Sequence, residues 1–441
     1  MLINVFFLFL LLFTKDISIT FIIISINNVM IEIILAIIIG IILGTITGLT
    51  PGLHVNTIGL IIFSISDKIL NHTTPLVLCT FFVSLSLCHA MLEFIPSLLL
   101  SIPDEDTVLS IQPGHRLLFK GQGRRAIRLV SFGGFLSIIV LVMLMPILIM
   151  FLPIIYNLLK DYIGYLLLFT MIIFLVYTNS KEKRAKSILI FLVAGILGFF
   201  VLQSNVGSNL ALLSILSGLF SVSNLIYTVN NDSHIPPQKE EKSFLVDNKF
   251  KRSVFAGSIS GCVLGLLPGL GPAQGTLIAQ SLTLNKDVSP EEFIITNSGV
   301  NISDTLFSLI AIYLINNPRS AISVYVSNIL SEVELIHIIF FIFVCLITVS
   351  VCCMLSIKIG DWMIDHVLKI DYKKFNIFII ILISSILVFF TICNNGCLWY
   401  VILCYVTSIS LGLVCNVLDL SKSNLMGVLI VPSILTYLGI I

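Results

Sequence analysis

Residues 48–57 read GLTPGLHVNT, and residues 265–276 read GLLPGLGPAQGT. The Pro-Gly pairs of the two stretches stand 217 positions apart. The same offset carries three glycines of the first copy onto glycines of the second: Gly40 onto Gly257, Gly44 onto Gly261 and Gly48 onto Gly265. A glycine-spaced apolar helix that runs into Pro-Gly is a broken helix. Two copies of it predict a pseudo-symmetric protein with its site between the breaks.

The composition is that of a protein that crosses a membrane many times. Of the 441 residues, 57% are hydrophobic and 11% are charged, whereas soluble domains carry about 25% charged residues. The apolar runs predict about eleven to thirteen membrane segments, since a crossing takes roughly 20 residues. The net charge of +1 argues against nucleic-acid binding, which requires a basic face. We therefore expect an all-α, multi-pass protein in the lipid bilayer of the cell membrane.

Charge and proline divide the chain into four parts. Residues 1–29 form a hydrophobic extension, which fits an extra helix, a signal-like segment or a start assigned too early. Residues 30–229 form the first transmembrane repeat, residues 230–251 a charged cytoplasmic linker, and residues 252–441 the second repeat. Each repeat is expected to contain interrupted, re-entrant helices.

Each predicted repeat has a second break besides its Pro-Gly pair. These breaks fall at Pro103 in the first repeat and at residues 316–319, which read NNPR, in the second. Residues 101–125 carry few apolar residues and are expected to be non-helical. A single proline in a membrane helix usually marks a kink, but isolated kinks do not explain four interruptions in matched pairs.

Lysine and arginine concentrate in the intervals 115–128, 181–186, 239–252 and 358–374. The positive-inside rule places all four intervals in the cytoplasm. In the first repeat the basic residues precede the long helix, whereas in the second they follow it. Corresponding helices then point in opposite directions, which predicts an inverted repeat.

The helix breaks are the predicted substrate site. A helix that restarts inside the membrane has unpaired N–H groups and the positive end of its dipole at its first turn, which together favour an anion. Arg319, at the second break of the second repeat, is the best candidate to bind a carboxylate or phosphate, although its side chain could instead snorkel. The predicted substrate-binding residues are Gly52, His54, Asn56, Thr57, Gly269, Gly271, Gln274, Thr276, Asn297, Asn301 and Arg319.

Ionisable residues at membrane depth are the predicted ion-coupling groups: His89, Glu93, Asp104 and Asp304. A charge at the centre of a membrane helix costs at least about 2.5–3.5 kcal/mol, so these groups must be paired or neutral. His89 and Asp304 each lie fourteen residues before a second break, at equivalent positions of the two repeats. His89 and Glu93 either pair with each other or couple transport to Na⁺ or H⁺. Asp104 either takes part in coupling or belongs to a solvated acidic cluster.

The sequence lacks the motifs of the common enzyme classes. It contains neither GxxxxGK[ST] nor HExxH, so neither a nucleotide-hydrolysing site nor a zinc protease is predicted. The ten cysteines form no CxxC pair of the kind that binds zinc. We predict no enzyme activity, no metal site and no cofactor other than a coupling Na⁺ or H⁺.

Three motifs carry a family resemblance. The duplicated PGL, ITNSGVNISDTL at 295–306 and PGHRLLFKGQGRRAIRLVSFGG at 113–134 resemble the large membrane subunit of tripartite tricarboxylate transporters, the TctA-like family, in its archaeal single-gene branch. The resemblance covers Met30 to the C-terminus. It implies cation-driven uptake of a carboxylate such as citrate, with a small membrane subunit and an extracytoplasmic binding protein as partners.

Together these observations predict a secondary transporter that moves a small organic anion, such as a di- or tricarboxylate, by alternating access. Two alternatives stay open. One is a carrier of lipid-linked or polyprenyl phosphate, and the other is a non-transporting membrane scaffold or intramembrane enzyme. A homodimer is one option for the quaternary state.

Overall fold

The structure is a computed structural model, and every regular element in the ranges that it describes is helical. Nine helices in these ranges are long and apolar enough to cross a membrane, and Ala321–Leu330 and Asn424–Tyr437 are shorter apolar helices. The predicted all-α, multi-pass fold is therefore confirmed. The described residues are 17–50, 55–100, 106–177, 182–204, 208–229, 236–240, 246–265, 271–283, 288–316, 318–366, 372–393, 396–420 and 422–440.

The described residues of the first half contain eleven α-helices. They are α1 Ile17–Leu49, α2 Val55–Ser64, α3 Ser66–Leu70, α4 Pro75–Leu92, α5 Phe94–Leu100, α6 Ile111–Leu118, α7 Gly123–Leu159, α8 Ile163–Tyr177, α9 Arg184–Leu202, α10 Ser208–Leu216 and α11 Ser223–Val229. Short 3₁₀ turns cover Val108–Ser110 and Lys160–Tyr162, and a π-helical turn covers Ser217–Val222.

The second half repeats the order of a helix, a break, a short helix and a long helix. Its α-helices are α12 Asn248–Leu264, α13 Pro272–Thr283, α14 Pro290–Ile315, α15 Ala321–Leu330, α16 Leu335–His366, α17 Tyr372–Cys393, α18 Leu398–Val417 and α19 Gly427–Tyr437. A 3₁₀ turn at Lys422–Met426 precedes α19.

Three boundaries differ from the sequence prediction. Helix α1 passes through Met30 without a break, so residues 17–29 continue into the first repeat, and residues 1–16 lie outside the described ranges. Residues 108–118 are helical, contrary to expectation, because Pro113 falls in the first turn of α6, where its missing N–H costs no hydrogen bond. Helix α12 begins at Asn248, inside the predicted linker.

Glycines set the close packing of one helix pair in each half. A Cβ atom added to Gly44 of α1 would stand 2.6 Å from Cys88 Cβ of α4, and one added to Gly261 of α12 would stand 2.6 Å from Ser303 Cβ of α14. The remaining contacts repeat this pattern: Gly40 with Ser84 and Gly48 with Leu92 in the first half, Gly257 with Gly299 and Gly265 with Phe307 in the second. Residue numbers rise together along both helices of each pair. The two pairs are therefore parallel and equivalent, as the duplicated glycine pattern predicts.

The long helices α7 and α16 pack against each other in opposite directions. Arg124 near the start of α7 bonds Asp365 near the end of α16 at 2.6 Å, and Arg128 binds both carboxylate oxygens of Asp361 at 3.0 and 2.8 Å. These two helices occupy the same place in the order of each half. Their antiparallel packing is the arrangement that an inverted repeat requires.

Helices α7 and α14 run side by side in the same direction. Arg125 and Glu291 join their first turns at 3.1 Å, and Tyr156 in the last turn of α7 contacts Arg319 just beyond the end of α14. The arginine-rich end corresponds to the predicted cytoplasmic side. Helix α14 then runs away from the predicted cytoplasmic side.

We predict that Gly44→Val and Gly261→Val destabilise the protein to similar extents. Each new side chain would overlap the facing helix, and overpacking of this kind costs about 1–3 kcal/mol. The matched control is Ile42→Val, because Ile42 lies on the same helix and is 54% exposed. Thermal unfolding of the purified variants in detergent measures the effect. Equal midpoints for all three variants would contradict the assigned packing.

Candidate ion and substrate site

A buried hydrogen bond joins the two halves at the point where α4 meets α5. The side-chain amide of Asn301, on α14, donates to the Glu93 carboxylate and, at 3.1 Å, to the Ala90 carbonyl oxygen. Glu93 follows the last residue of α4, and Glu93 and Asn301 are each 2% exposed. A buried carboxylate needs such donors, because burying it without partners is costly.

His89 lies on α4 one helical turn before Glu93 and contacts the Glu93 carboxylate from the side opposite Asn301. The distance from His89 Nε2 to Glu93 Oε2 is 3.4 Å, and Nδ1 lies 3.0 Å from the Thr47 hydroxyl oxygen. The Thr47 hydroxyl donates to the Gly44 carbonyl oxygen at 3.1 Å. Because a hydroxyl has only one hydrogen, His89 Nδ1 must be the donor in its bond to Thr47.

The 3.4 Å between His89 Nε2 and Glu93 Oε2 is the separation of an ion pair, and the two groups can share a proton. With Nδ1 protonated, a favourable contact between Nε2 and the carboxylate oxygen needs one further proton on either group. The pair is then an imidazolium with a carboxylate, or an imidazole with a carboxylic acid. Both forms are neutral overall and differ only in where the proton lies. We name Thr47, His89, Glu93 and Asn301 the His89 cluster.

The His89 cluster lies near the middle of its membrane segments. The spans Pro75–Leu100 and Pro290–Ile315 each contain 26 residues. His89 and Asp304 both stand about 21 Å from the start of their spans at 1.5 Å per residue, and Asn301 lies one turn before Asp304. The hydrocarbon core is about 30 Å thick, so a residue at this depth is far from both surfaces.

A second group of buried polar side chains adjoins the first on α14. Asn297 donates to the Ser110 hydroxyl at 2.7 Å and to the Asp106 carbonyl oxygen at 3.3 Å. The Thr276 hydroxyl, on α13, lies 2.8 Å from the amide oxygen of Asn297. We name Ser110, Thr276 and Asn297 the Asn297 cluster. It connects α13, which follows Pro268-Gly269 in the sequence, with the segment that follows Pro103.

The structure brings together five of the predicted site residues: His89, Glu93, Thr276, Asn297 and Asn301. Asn56 and Gly271 are partly buried beside the breaks, and Asp304 is partly buried on α14. The remaining predicted residues near the breaks cannot be placed. Gly52, His54, Asp104 and Gly269 lie outside the described residues, as do the side chains of Thr57 and Gln274.

Arg319 lies apart from both clusters. Its guanidinium group donates to the Tyr156 hydroxyl at 2.8 Å and lies 5.4 Å from the centre of the Tyr156 ring. This position is at the last turn of α7 and just beyond the end of α14, remote from the basic surface. Arg319 therefore lies on the predicted extracytoplasmic side.

Sequence reasoning missed Thr47 and Ser110. Thr47 is the polar residue next to Gly48 in an apolar helix, so its position beside the glycine-lined contact was a usable signal. Ser110 lies in a segment that was expected to be non-helical. Its bond to Asn297 spans 187 positions and could not be read from local spacing.

Buried ionisable residues at mid-membrane depth, such as His89 and Glu93, are typical of secondary membrane transporters. The chain belongs to the tripartite tricarboxylate transporter TctA family, which matches residues 34–427. This family is one of membrane transport proteins, so the predicted family and the multi-pass membrane location are confirmed.

The chain is also similar to the uncharacterized protein MJ1079 of Methanocaldococcus jannaschii. The two are 31% identical over 394 residues, which cover 88% of this chain and 94% of the relative. This similarity agrees with the archaeal branch that the motifs indicated. No solved structure matches the chain.

We predict that Glu93→Leu lowers the unfolding midpoint, whereas Glu93→Gln leaves it near that of the unchanged protein. Glutamine keeps an oxygen to accept from Asn301 and gains an amide that can donate to His89. Leucine removes the contact that each of these buried groups makes with residue 93, and a buried polar group that loses a bond costs about 1–3 kcal/mol. Thermal unfolding in detergent compares the two variants. A leucine variant as stable as the glutamine variant would contradict the described bonds.

Proposed function

We propose that this chain is the carrier of a secondary transporter that moves a small carboxylate across the membrane by alternating access, coupled to H⁺. The observation that supports this most directly is the His89 cluster, in which a buried imidazole and carboxyl group are bonded across the two halves. The family to which the chain belongs supports the carboxylate, because its description names tricarboxylate transport.

The helix breaks favour an anionic substrate. Helix α2 begins at Val55 and α13 begins at Pro272, each directly after a Pro-Gly break. The first-turn N–H groups of such helices lack intrahelical partners and face the positive end of the dipole. Asn56 lies in the first turn of α2, and Thr276, in the second turn of α13, ties this helix to the Asn297 cluster. The substrate would bind between these first turns.

The His89 and Glu93 pair favours H⁺ as the coupling ion. Adding a second proton converts the neutral pair into a cation, which offsets one negative charge of a carboxylate in the same low-dielectric region. Loss of this second proton after the carboxylate is released returns the pair to its neutral state. Because Asn301 belongs to the second half, the proton on Glu93 also changes a bond between the halves. A relative movement of the halves could thus depend on protonation.

The accessory proteins follow from the family rather than from the fold. A tripartite system implies two further components, and we propose a small membrane subunit and an extracytoplasmic binding protein that delivers the substrate. Arg319 and Tyr156 lie at the predicted extracytoplasmic end, where such a binding protein would release its anion to the carrier.

The lipid-linked phosphate alternative has one observation in its favour. A cavity of about 410 Å³ lies between α1, α2, α3 and α4, and side chains such as Leu35, Ile39 and Phe81 line it. Glu32, His72 and Thr73 also line this cavity, but no lysine or arginine of the described residues does. A phosphate head group would meet an acid there and no fixed cation. The carboxylate proposal is therefore the better supported.

A thermal-shift screen identifies the substrate class. Di- and tricarboxylates, inorganic phosphate and a polyprenyl phosphate are each added to the purified protein with and without Na⁺, since a ligand of the folded state raises its stability by mass action. The proposal predicts stabilisation by a carboxylate. Stabilisation by polyprenyl phosphate alone would favour the lipid-linked alternative, and no stabilisation by any anion would favour a scaffold or enzyme.

We predict that Glu93→Gln loses at least about tenfold of the uptake rate of the stabilising carboxylate while remaining folded. The substitution keeps the hydrogen bonds but removes the titrating carboxyl, and a tenfold loss corresponds to about 1.4 kcal/mol. Uptake into proteoliposomes under an inward pH gradient measures it. Glu32→Gln is the matched control, since Glu32 is also a hydrogen-bonded carboxylate, which accepts from Thr73 at 2.8 Å, but lies outside the cluster.

Two results would overturn parts of the proposal. Unchanged uptake by the Glu93→Gln variant would remove Glu93 from the coupling mechanism. Uptake driven by a Na⁺ gradient and insensitive to the pH gradient would reassign the coupling ion to Na⁺.

A further inference from the structure

Lys422 places its ammonium group between helices of the two halves. Its Nζ donates to the Gly412 carbonyl oxygen at 3.0 Å, the Ser223 hydroxyl oxygen at 3.1 Å and the Leu219 carbonyl oxygen at 3.2 Å. All three acceptors are neutral oxygens. Among the described residues, Lys422 forms no ion pair with a carboxylate.

The π-helical turn supplies one of these oxygens. In an α-helix, the backbone N–H of Ser223 would bond the Leu219 carbonyl, four residues earlier. Here that N–H bonds the Gly218 carbonyl instead, so the Leu219 carbonyl loses its usual partner. Such turns commonly occur at functional sites because they redirect backbone groups. The turn lies within the candidate span Leu210–Tyr227.

The other two oxygens also present lone pairs to the same point. The Ser223 hydroxyl donates its hydrogen to the Leu219 carbonyl at 2.5 Å, so its oxygen can only accept from Lys422. Gly412 lets α18 approach closely, because a Cβ atom there would overlap the Leu219 carbonyl oxygen and the Ser223 hydroxyl. We name the Leu219 and Gly412 carbonyl oxygens and the Ser223 hydroxyl oxygen the three-oxygen group. The π-helical turn, α18 and the first residue of α11 supply one oxygen each.

Carbonyl and hydroxyl oxygens that converge at an unwound helix segment are the groups that bind Na⁺ in secondary transporters. We propose that this three-oxygen group is a monovalent-cation site that the chain fills with its own Lys422 ammonium. The lysine is a compact point charge with three donors, which matches three acceptors. The site then carries a positive charge without a dissolved ion. This inference does not depend on which substrate the protein transports.

The test compares Lys422→Ala with Lys422→Met. Alanine vacates the site and leaves the three oxygens, whereas methionine fills most of the same volume without a charge. The unfolding midpoint of each purified variant is measured in NaCl, KCl and choline chloride, each at about 150 mM, because a site of millimolar affinity is nearly full at this concentration. Choline is too large for the site. Subtracting the methionine variant removes any effect of Na⁺ at other sites.

We expect NaCl or KCl to raise the midpoint of the alanine variant by about 2–4 °C over choline chloride, and to leave the methionine variant unchanged. Adding Ser223→Ala to the alanine variant should remove at least half of that shift, because one oxygen is lost. A salt response that is the same in the alanine and methionine variants would overturn the proposal. An alanine variant that is unfolded in every salt, while the methionine variant folds, would also overturn it.

Discussion

The hydrogen bond from Asn301 to Glu93 is the interaction on which the site depends. It fixes a carboxyl group between two halves of the chain at a depth where an unpaired charge is costly. His89 and Thr47 complete the cluster from α4 and α1. Four side chains from three helices thus form one connected cluster near the middle of the membrane. Removing any of them takes away a contact of another buried polar group.

The glycine contacts make this arrangement possible. Gly44 and Gly48 let α1 lie close enough to α4 for Thr47 to reach His89, and Gly261 and Gly265 do the same for α12 and α14. The equivalent pairs carry different chemistry, since the position of His89 in the first half is taken by Asp304 in the second. Symmetric packing therefore supports an asymmetric site. This asymmetry is what a carrier needs if it is to bind a proton and an anion at different places.

The local spacing of residues in the sequence predicted much of this structure. It could not predict contacts between residues that are far apart in the sequence. The duplicated glycines predicted the two helix pairs because they act within neighbouring helices, and the i, i+4 spacing predicted that His89 and Glu93 lie together. The bond from Asn301 to Glu93 and the partner of Arg319 depend on how distant helices pack. Lys422 gave no signal, because its site is formed by a π-helical turn that sequence periodicity does not reveal.

The most direct test of the account is hydrogen–deuterium exchange of the purified chain with and without the carboxylate that stabilises it most. First-turn N–H groups of α2 and α13 lack helical partners and exchange readily unless a ligand binds them. Binding of a carboxylate between these first turns predicts slower exchange at 55–57 and 273–274 and in α14 around Asn301. Slower exchange confined to other regions, such as the cytoplasmic ends of α7 and α16, would contradict the proposed site.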